Sequence, residues 1–274
     1  MFKIIIMALL IFIGMVGYDS ITDKAQPTTP VQQEQQKVSK HEKSAAMALF
    51  TSLLPPKEEW PSPVHKFYLA FNMDEVIDPI RQNPNWTGLD AMSRDIPQAL
   101  IAIEDHAFYN HGAIAVEGIL RAALANINAG EVVQGGSTLT QQFVKNVFLS
   151  HEQSMERKIE EAVLSLMLED NYSKDEILEL YLNTTYFGAG STGIRQASKT
   201  YFGKAPSALT LAEAAVIASL PYAPTSLNPL ENPEGCKKRQ LLVLAAMHKY
   251  GMINQGQLAE AKAEKIRLTN GTVM

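Results

Sequence analysis

Three helix-opening signatures stand in the second half of the chain: Thr138 with Gln141, Ser173 with Glu176, and Thr210 with Glu213. In each, a hydroxyl residue precedes Glu or Gln by three positions, the pairing that satisfies two orphan N–H groups at a helix start. Apolar residues at helical spacing fill much of the rest. Asp95 is placed to cap a helix with Pro97 in its first turn and Leu100, Ile101 and Ile103 along it. Val116, Ile119, Leu120, Ala123, Leu124 and Ile127 form an i, i+3, i+4, i+7 stripe that Gly130 can stop. Asn232 followed by Pro233 opens a last long helix, predicted to run through Met247. Strand candidates are few, the best being Phe67 to Phe71, and no internal repeat is visible. The pattern predicts a mainly α fold.

Composition narrows the function classes. With 274 residues, 46% of them hydrophobic and 19% charged, the chain can bury a sizeable core, and wholesale disorder is excluded. The formal net charge of -5 argues against a protein that coats a polyanion, so no nucleic-acid partner is expected. A single cysteine, Cys236, excludes an intramolecular disulfide framework and a multi-thiolate zinc site.

The N-terminus reads as an export signal of the kind that itself stays in the cytoplasm. Lys3 precedes the charge-free run Ile4 to Tyr18, and Asp19 and Asp23 follow. Those fifteen residues make about 22 Å of helix against a hydrocarbon core of roughly 30 Å, so the run suits a short anchor or a cleaved signal. No small-x-small cleavage site is convincing, and an uncleaved anchor is the favoured reading. Ser20 to about Lys43, with Gln32, Gln33, Gln35, Gln36, Pro27 and Pro30, has no apolar period and reads as a solvated stalk. The expected organisation is an anchor or signal over residues 1–19, a polar linker over 20–45 and a folded domain over 46–274.

Three segments can carry chemistry, and each has an ordinary alternative. Glu104 and Asp105 close an apolar helical run; an apolar wall raises a carboxylate's pKa toward that of a useful acid or base. Equally, they can begin a solvated loop. In Gly135-Gly136-Ser137-Thr138 the glycines turn the backbone and hydroxyl residues open a helix, whose free N–H groups bind anions. The same four residues also make a plain loop and cap, and they do not match the P-loop. On the third segment, Arg157 and Glu161 share one helix face at i, i+4, opposite Ile159, Ala162, Val163 and Leu166. Alone, that pair reads as a salt bridge on a solvated face.

Together, in order and spacing, these segments resemble the peptidoglycan glycosyltransferase domain, glycosyltransferase family 51, of class A penicillin-binding proteins and shorter monofunctional enzymes. The resemblance covers roughly Ile96 to Met247. Glu104-Asp105 with Phe108 and His111 looks like the family's first motif. Gly136-Ser137-Thr138-Leu139-Thr140-Gln141-Gln142 with Lys145-Asn146 looks like the second. Arg157-Lys158 with Glu161 looks like the third, and Lys174 with Ile177-Leu178-Glu179-Leu180-Tyr181-Leu182-Asn183 like the fourth. Gly193, Ala197 and Tyr201-Phe202-Gly203-Lys204 continue it. One position departs: the family has glycine two residues after the histidine, where this chain has Ala113. A positive φ there would cost alanine about 1 kcal/mol or force a different turn.

The resemblance implies a lysozyme-like helical head with a smaller membrane-associated jaw lobe, Tyr109, Ile114, Val116 and Ile119 being candidates to face lipid. It implies polymerisation of lipid II into β-1,4-linked glycan with inversion and release of undecaprenyl pyrophosphate. Glu104 would be the base at the acceptor 4-hydroxyl. Glu161 would sit at the donor side with Lys145, Arg157 and Lys158 around the pyrophosphate. Ser137, Thr138, Gln142 and Asn146 would bind the sugar–phosphate moiety, Phe108 would line the site and Asp105 would orient its neighbours. No cofactor is required; a divalent cation, Mg or Mn, is compatible with the family, but no dedicated carboxylate cluster is visible, and His106 and His111 read as structural. The implied partners are lipid II, the growing lipid-linked chain, the membrane and cell-wall synthesis proteins. The implied location is the bacterial cytoplasmic membrane, with the catalytic domain outside the cytoplasm. Neither Ser-x-x-Lys nor Lys-Thr-Gly occurs, since Lys199-Thr200 precedes Tyr201, so a monofunctional form is expected. The rival readings are a lytic transglycosylase or muramidase, and an inactive wall-synthesis scaffold.

Overall fold

The computed structural model describes residues 68–69, 72–118, 136–149 and 154–274, with the backbone alone for Met155 and Glu156. The anchor run, the polar stretch and the stripe beyond Gly118, with Gly130, lie outside the described residues. A compact unit runs from Val76 to Met274. Ahead of it, Tyr68 and Leu69 are helical, which corrects the strand expected there. Asn72 gives both its backbone N–H (3.1 Å) and its side-chain Nδ2 (2.9 Å) to the Tyr68 carbonyl, a helical pattern that occupies the acceptor a ladder would need.

The helices are α1 (Asp74–Arg81), α2 (Asp95–Glu104), α3 (Leu139–Phe148), α4 (Met155–Asn171), α5 (Lys174–Thr184), α6 (Ile194–Phe202), α7 (Leu211–Ser219), α8 (Pro233–Lys249) and α9 (Gln255–Ala263). Among the described residues, β pairing is limited to the isolated bridges Tyr186–Thr192 and Arg267–Val273. The mainly α expectation holds, and the described residues do not delineate a separate smaller lobe. All three capping boxes form as the sequence predicts, and Asn254 with Gln257 adds another at the start of α9. Asp95 is the first residue of α2 rather than its cap; Arg94 holds that position without a side-chain bond.

The core is built around α7, which packs on α2 and α8. Every residue from Ala212 to Ser219 is buried, as befits a helix apolar on nearly all sides. Its one carboxylate, Glu213, is neutralised by Lys204 at 2.7 and 2.9 Å and also accepts from the Thr210 N–H at 3.0 Å. That assigns Lys204 of the Tyr-Phe-Gly-Lys segment a structural role. A second layer sets α3 against α4 and α5, burying Leu139, Phe143 and Val144. Gly193 opens α6 at φ 84°, where an added Cβ would stand 2.6 Å from the Asn183 carbonyl oxygen, so only glycine fits.

The fourth-motif residues act as a brace. Asn183 accepts from the Thr87 N–H and donates to the Thr87 carbonyl, both at 2.9 Å, while Glu179 accepts from the Leu89 N–H at 2.8 Å. Together they pin the segment entering α2 onto α5. Lys174 bonds Glu169 at 2.7 Å and lies 4.5 Å from the centre of the Phe108 ring.

Candidate active site

The site is assembled on the start of α3. Thr138 caps that helix by accepting from the Gln141 N–H at 3.1 Å, and its hydroxyl donates to the Ala113 carbonyl at 2.7 Å. Asp105, just past the end of α2, accepts from the Leu139 N–H at 3.0 Å and meets His111 Nε2 at 2.7 Å. A carboxylate on the first free N–H of a helix also opposes its dipole favourably. Asp105 thus ties the end of α2 to the start of α3 and to His111, so the segment is not a solvated loop. Burial disfavours a charged His111, but the Asp105 carboxylate and the Gly112 carbonyl, 2.6 Å from Nδ1, outweigh it and raise the imidazole pKa. Ala113 is buried and does not take a positive φ, so its substitution for glycine brings no strain.

Glu104 ends α2, partly buried beside this cap. Gln142, one turn into α3, donates Nε2 to Glu104 Oε2 at 3.0 Å and accepts from the buried Tyr181 hydroxyl at 3.0 Å on its Oε1. No hydrogen bond is made by Glu104 Oε1 among the described residues. Burial pushes the Glu104 pKa up; the Gln142 hydrogen bond and the positive charges of Arg239 and Lys145 act against that, and Asp105 adds to it. Arg239, on α8, is a cation that the sequence reading did not name. Its guanidinium lies 4.2 Å from the centre of the exposed Tyr222 ring. The run Lys237-Lys238-Arg239 at the foot of a predicted helix was the available signal.

The second carboxylate belongs to α4. Glu161, Leu164, Ser165 and Leu168 are its buried stripe, with Glu161 only 2% exposed, while Ile159 on the other side is 59% exposed. The sequence pattern suggests the reverse, because hydrophobicity alone selects the Ile159 face. Glu161 is the polar member of the packed face, and the solvated-salt-bridge reading falls. Arg157 reaches its Oε2 at 3.4 Å, and Lys158 bonds its Oε1 while also donating to Ser137 Oγ at 3.2 Å. Ser137 directly precedes the Thr138 cap of α3, and Gln142 lies one turn into that helix. The two carboxylates are thus joined through the opening turns of one helix.

The remaining expected residues divide. Lys145 and Asn146 are exposed on α3, and Lys145 has no ion-pair partner among the described residues. Phe108 has no exposed surface, so the ring is a floor beneath Lys174 rather than a lining residue. Thr138, 1% exposed, spends its hydroxyl on the loop and cap. Tyr109 and Val116 are exposed, at 53% and 63%, and Tyr109 donates to Asp175 at 2.7 Å; Ile119 lies outside the described residues. No group of three or more His, Cys, Asp or Glu side chains among the described residues is arranged to hold a metal ion. No helix among them is long and apolar enough to cross a membrane.

Known proteins share this arrangement of segments. The family model described as Transglycosylase matches residues 73–248. A Cupriavidus necator protein that bears the name "Putative transglycosylase" is 40% identical over 194 residues, covering 71% of this chain and 84% of that protein. Penicillin-binding protein 1A of Neisseria flavescens is 44% identical over 185 residues, 68% of this chain but 23% of its own length. Penicillin-binding protein 1A of Aquifex aeolicus is 44% identical over 176 residues, 64% of this chain and 24% of its own. The chain therefore spans about a quarter of these longer relatives and most of the shorter one. With more than half of its length matched, the chain belongs to the transglycosylase family, the peptidoglycan glycosyltransferases whose motifs its sequence resembles.

Proposed function

We propose that this protein polymerises lipid II, joining the 4-hydroxyl of an acceptor to C1 of the donor sugar, with inversion and departure of undecaprenyl pyrophosphate. The observation that carries the reading is the asymmetry of Glu104. One of its oxygens is held by Gln142, and the other has no bond among the described residues, which leaves it to take the acceptor's proton. A carboxyl whose pKa is raised by burial, with an amide and the Arg239 and Lys145 cations limiting the rise, suits general-base work. Phosphate departure needs permanent positive charge, which Lys145, Arg157 and Lys158 supply. Glu161 fixes the last two in place, and Ser137 is bound to one of them. Ser137, Gln142 and Asn146 are assigned to the sugar–phosphate, Thr138 and Phe108 to the frame beneath it.

Among the described residues no group of three or more His, Cys, Asp or Glu is arranged to hold a divalent ion, and in this reading the cationic side chains carry the charge balance. The Ile4 to Tyr18 run is assigned as the anchor to the cytoplasmic membrane, with residues 46–274 as the catalytic domain outside the cytoplasm, where lipid-linked chains and wall-synthesis proteins would be met. A lytic enzyme would share a catalytic Glu but has no use for three cations. Incubation with labelled lipid II tests the proposal: glycan polymer and free undecaprenyl pyrophosphate are expected. Inert lipid II together with digestion of purified sacculi would overturn it.

A further inference from the structure

Behind Glu104 stands a group that the reaction itself does not use. Tyr181, on α5, is 1% exposed, and its hydroxyl faces Gln142 Oε1 at 3.0 Å. Gln142 in turn gives Nε2 to Glu104 Oε2 at 3.0 Å. A carboxamide has one donating and one accepting end, so the two contacts are correlated. Turning it over would set Gln142 Oε1 against a carboxylate oxygen, two acceptors in contact, and would force the phenol to accept rather than donate. Such a mismatch is costly beside a phenol as buried as Tyr181.

We propose that Tyr181 is a positioning residue: by donating to Gln142 it locks the carboxamide with its N–H toward Glu104, leaving Glu104 Oε1 as the oxygen presented to the acceptor. The inference rests on Glu104 being the base of the proposed reaction. The charged groups around Glu104 are Arg239 from α8, Lys145 from α3 and the adjoining Asp105. None of them touches Tyr181's bond to Gln142, so their contribution survives when that bond is removed.

The test uses the full chain in detergent, as wild type, Tyr181→Phe, Gln142→Met and the double variant. Two readouts are taken: lipid II polymerisation against pH, and the Glu104 carboxyl titration by carbon NMR, assigned with Glu104→Gln. Tyr181→Phe should move the acidic limb of kcat/KM and the NMR midpoint upward by about half to one pH unit, which is roughly three- to tenfold in rate below the limb. Gln142→Met should give at least the same shift, and adding Tyr181→Phe to it should shift nothing further. A uniform loss of rate with an unmoved midpoint would overturn the lock and leave Tyr181 as packing. Should Tyr181→Phe misfold, an unshifted midpoint in Gln142→Met would overturn it equally. If wild type leaves lipid II inert while the NMR midpoints shift, the lock stands and the polymerase reading fails.

Discussion

Glu104 and Glu161 flank the same helix start in opposite company. Among the described residues, Glu104 is opposed by an uncharged amide on one oxygen and by no hydrogen bond on the other. Glu161 is sunk to 2% exposure between a guanidinium and an ammonium. The first arrangement leaves a carboxylate needing a proton; the second leaves it satisfied and makes it a holder of cations. Two identical functional groups thus acquire different roles from their surroundings.

Exchanging each carboxylate for its amide should separate the two most sharply. Glu104→Gln is expected to cut polymerisation at least about a hundredfold, while raising stability at pH 7. The sign follows from the raised pKa: folded protein binds the Glu104 proton more tightly than unfolded chain does. Ionising it therefore costs stability as pH rises above the ordinary value of 4.5. Urea midpoints for wild type and variant should converge toward pH 4. Near-normal rates in this variant would show that the base is misassigned. Glu161→Gln should instead lose both activity and stability, the latter by about 1–3 kcal/mol. Most of that loss comes from Arg157, because Lys158 is 44% exposed and water compensates it. If the amide at 161 proved neutral in denaturant titration, the contrast would be broken.

Smaller effects refine the picture. Lys145→Ala should weaken donor-site affinity by about tenfold with little change in Tm, since this cation has no ion-pair partner among the described residues. An unchanged affinity would remove it from the phosphate. Asp105→Asn should cost about 1 kcal/mol near pH 6 by weakening the α3 cap and the His111 pair. His111 titrates higher in the folded protein than its ordinary 6.5, so its stabilisation is full below that pH and fades as pH rises through the folded value. In Asp105→Asn that slope should flatten; a retained slope would move its origin elsewhere. Ser173→Ala, which loses a cap at α5 remote from both carboxylates, should cost about 1 kcal/mol or less without touching the rate ratio between donor and acceptor use. A changed ratio would mean that α5 orientation matters to catalysis.

Helix starts were legible because capping chemistry is local: all three hydroxyl boxes close as their sequences require. The motif carboxylates were legible as chemistry but not as geometry. Nothing local told that α4 would bury Glu161 and Ser165 and expose Ile159, since that choice is made by what α3 offers in return. Phe108 misled for a related reason: an aromatic ring in a motif can serve as lining or as floor, and only packing decides. Tyr181 is legible only as a member of the fourth motif and Arg239 not at all, because they approach Glu104 and its Gln142 partner from helices whose docking no spacing encodes. The strand read at Phe67 to Phe71 gave way, at Tyr68 and Leu69, to a two-bond grip by Asn72 on one carbonyl.

The 2.7 Å bond between the Thr138 hydroxyl and the Ala113 carbonyl joins positions 25 apart along the chain. The intervening stretch of chain is thereby closed into a loop at a fixed point. Its length can change at an entropic cost that grows only logarithmically, about 0.6 kcal/mol per doubling, without moving either carboxylate. Chain can therefore be added between those ends at little cost to the fold, provided that Ser137, which accepts from Lys158, is kept.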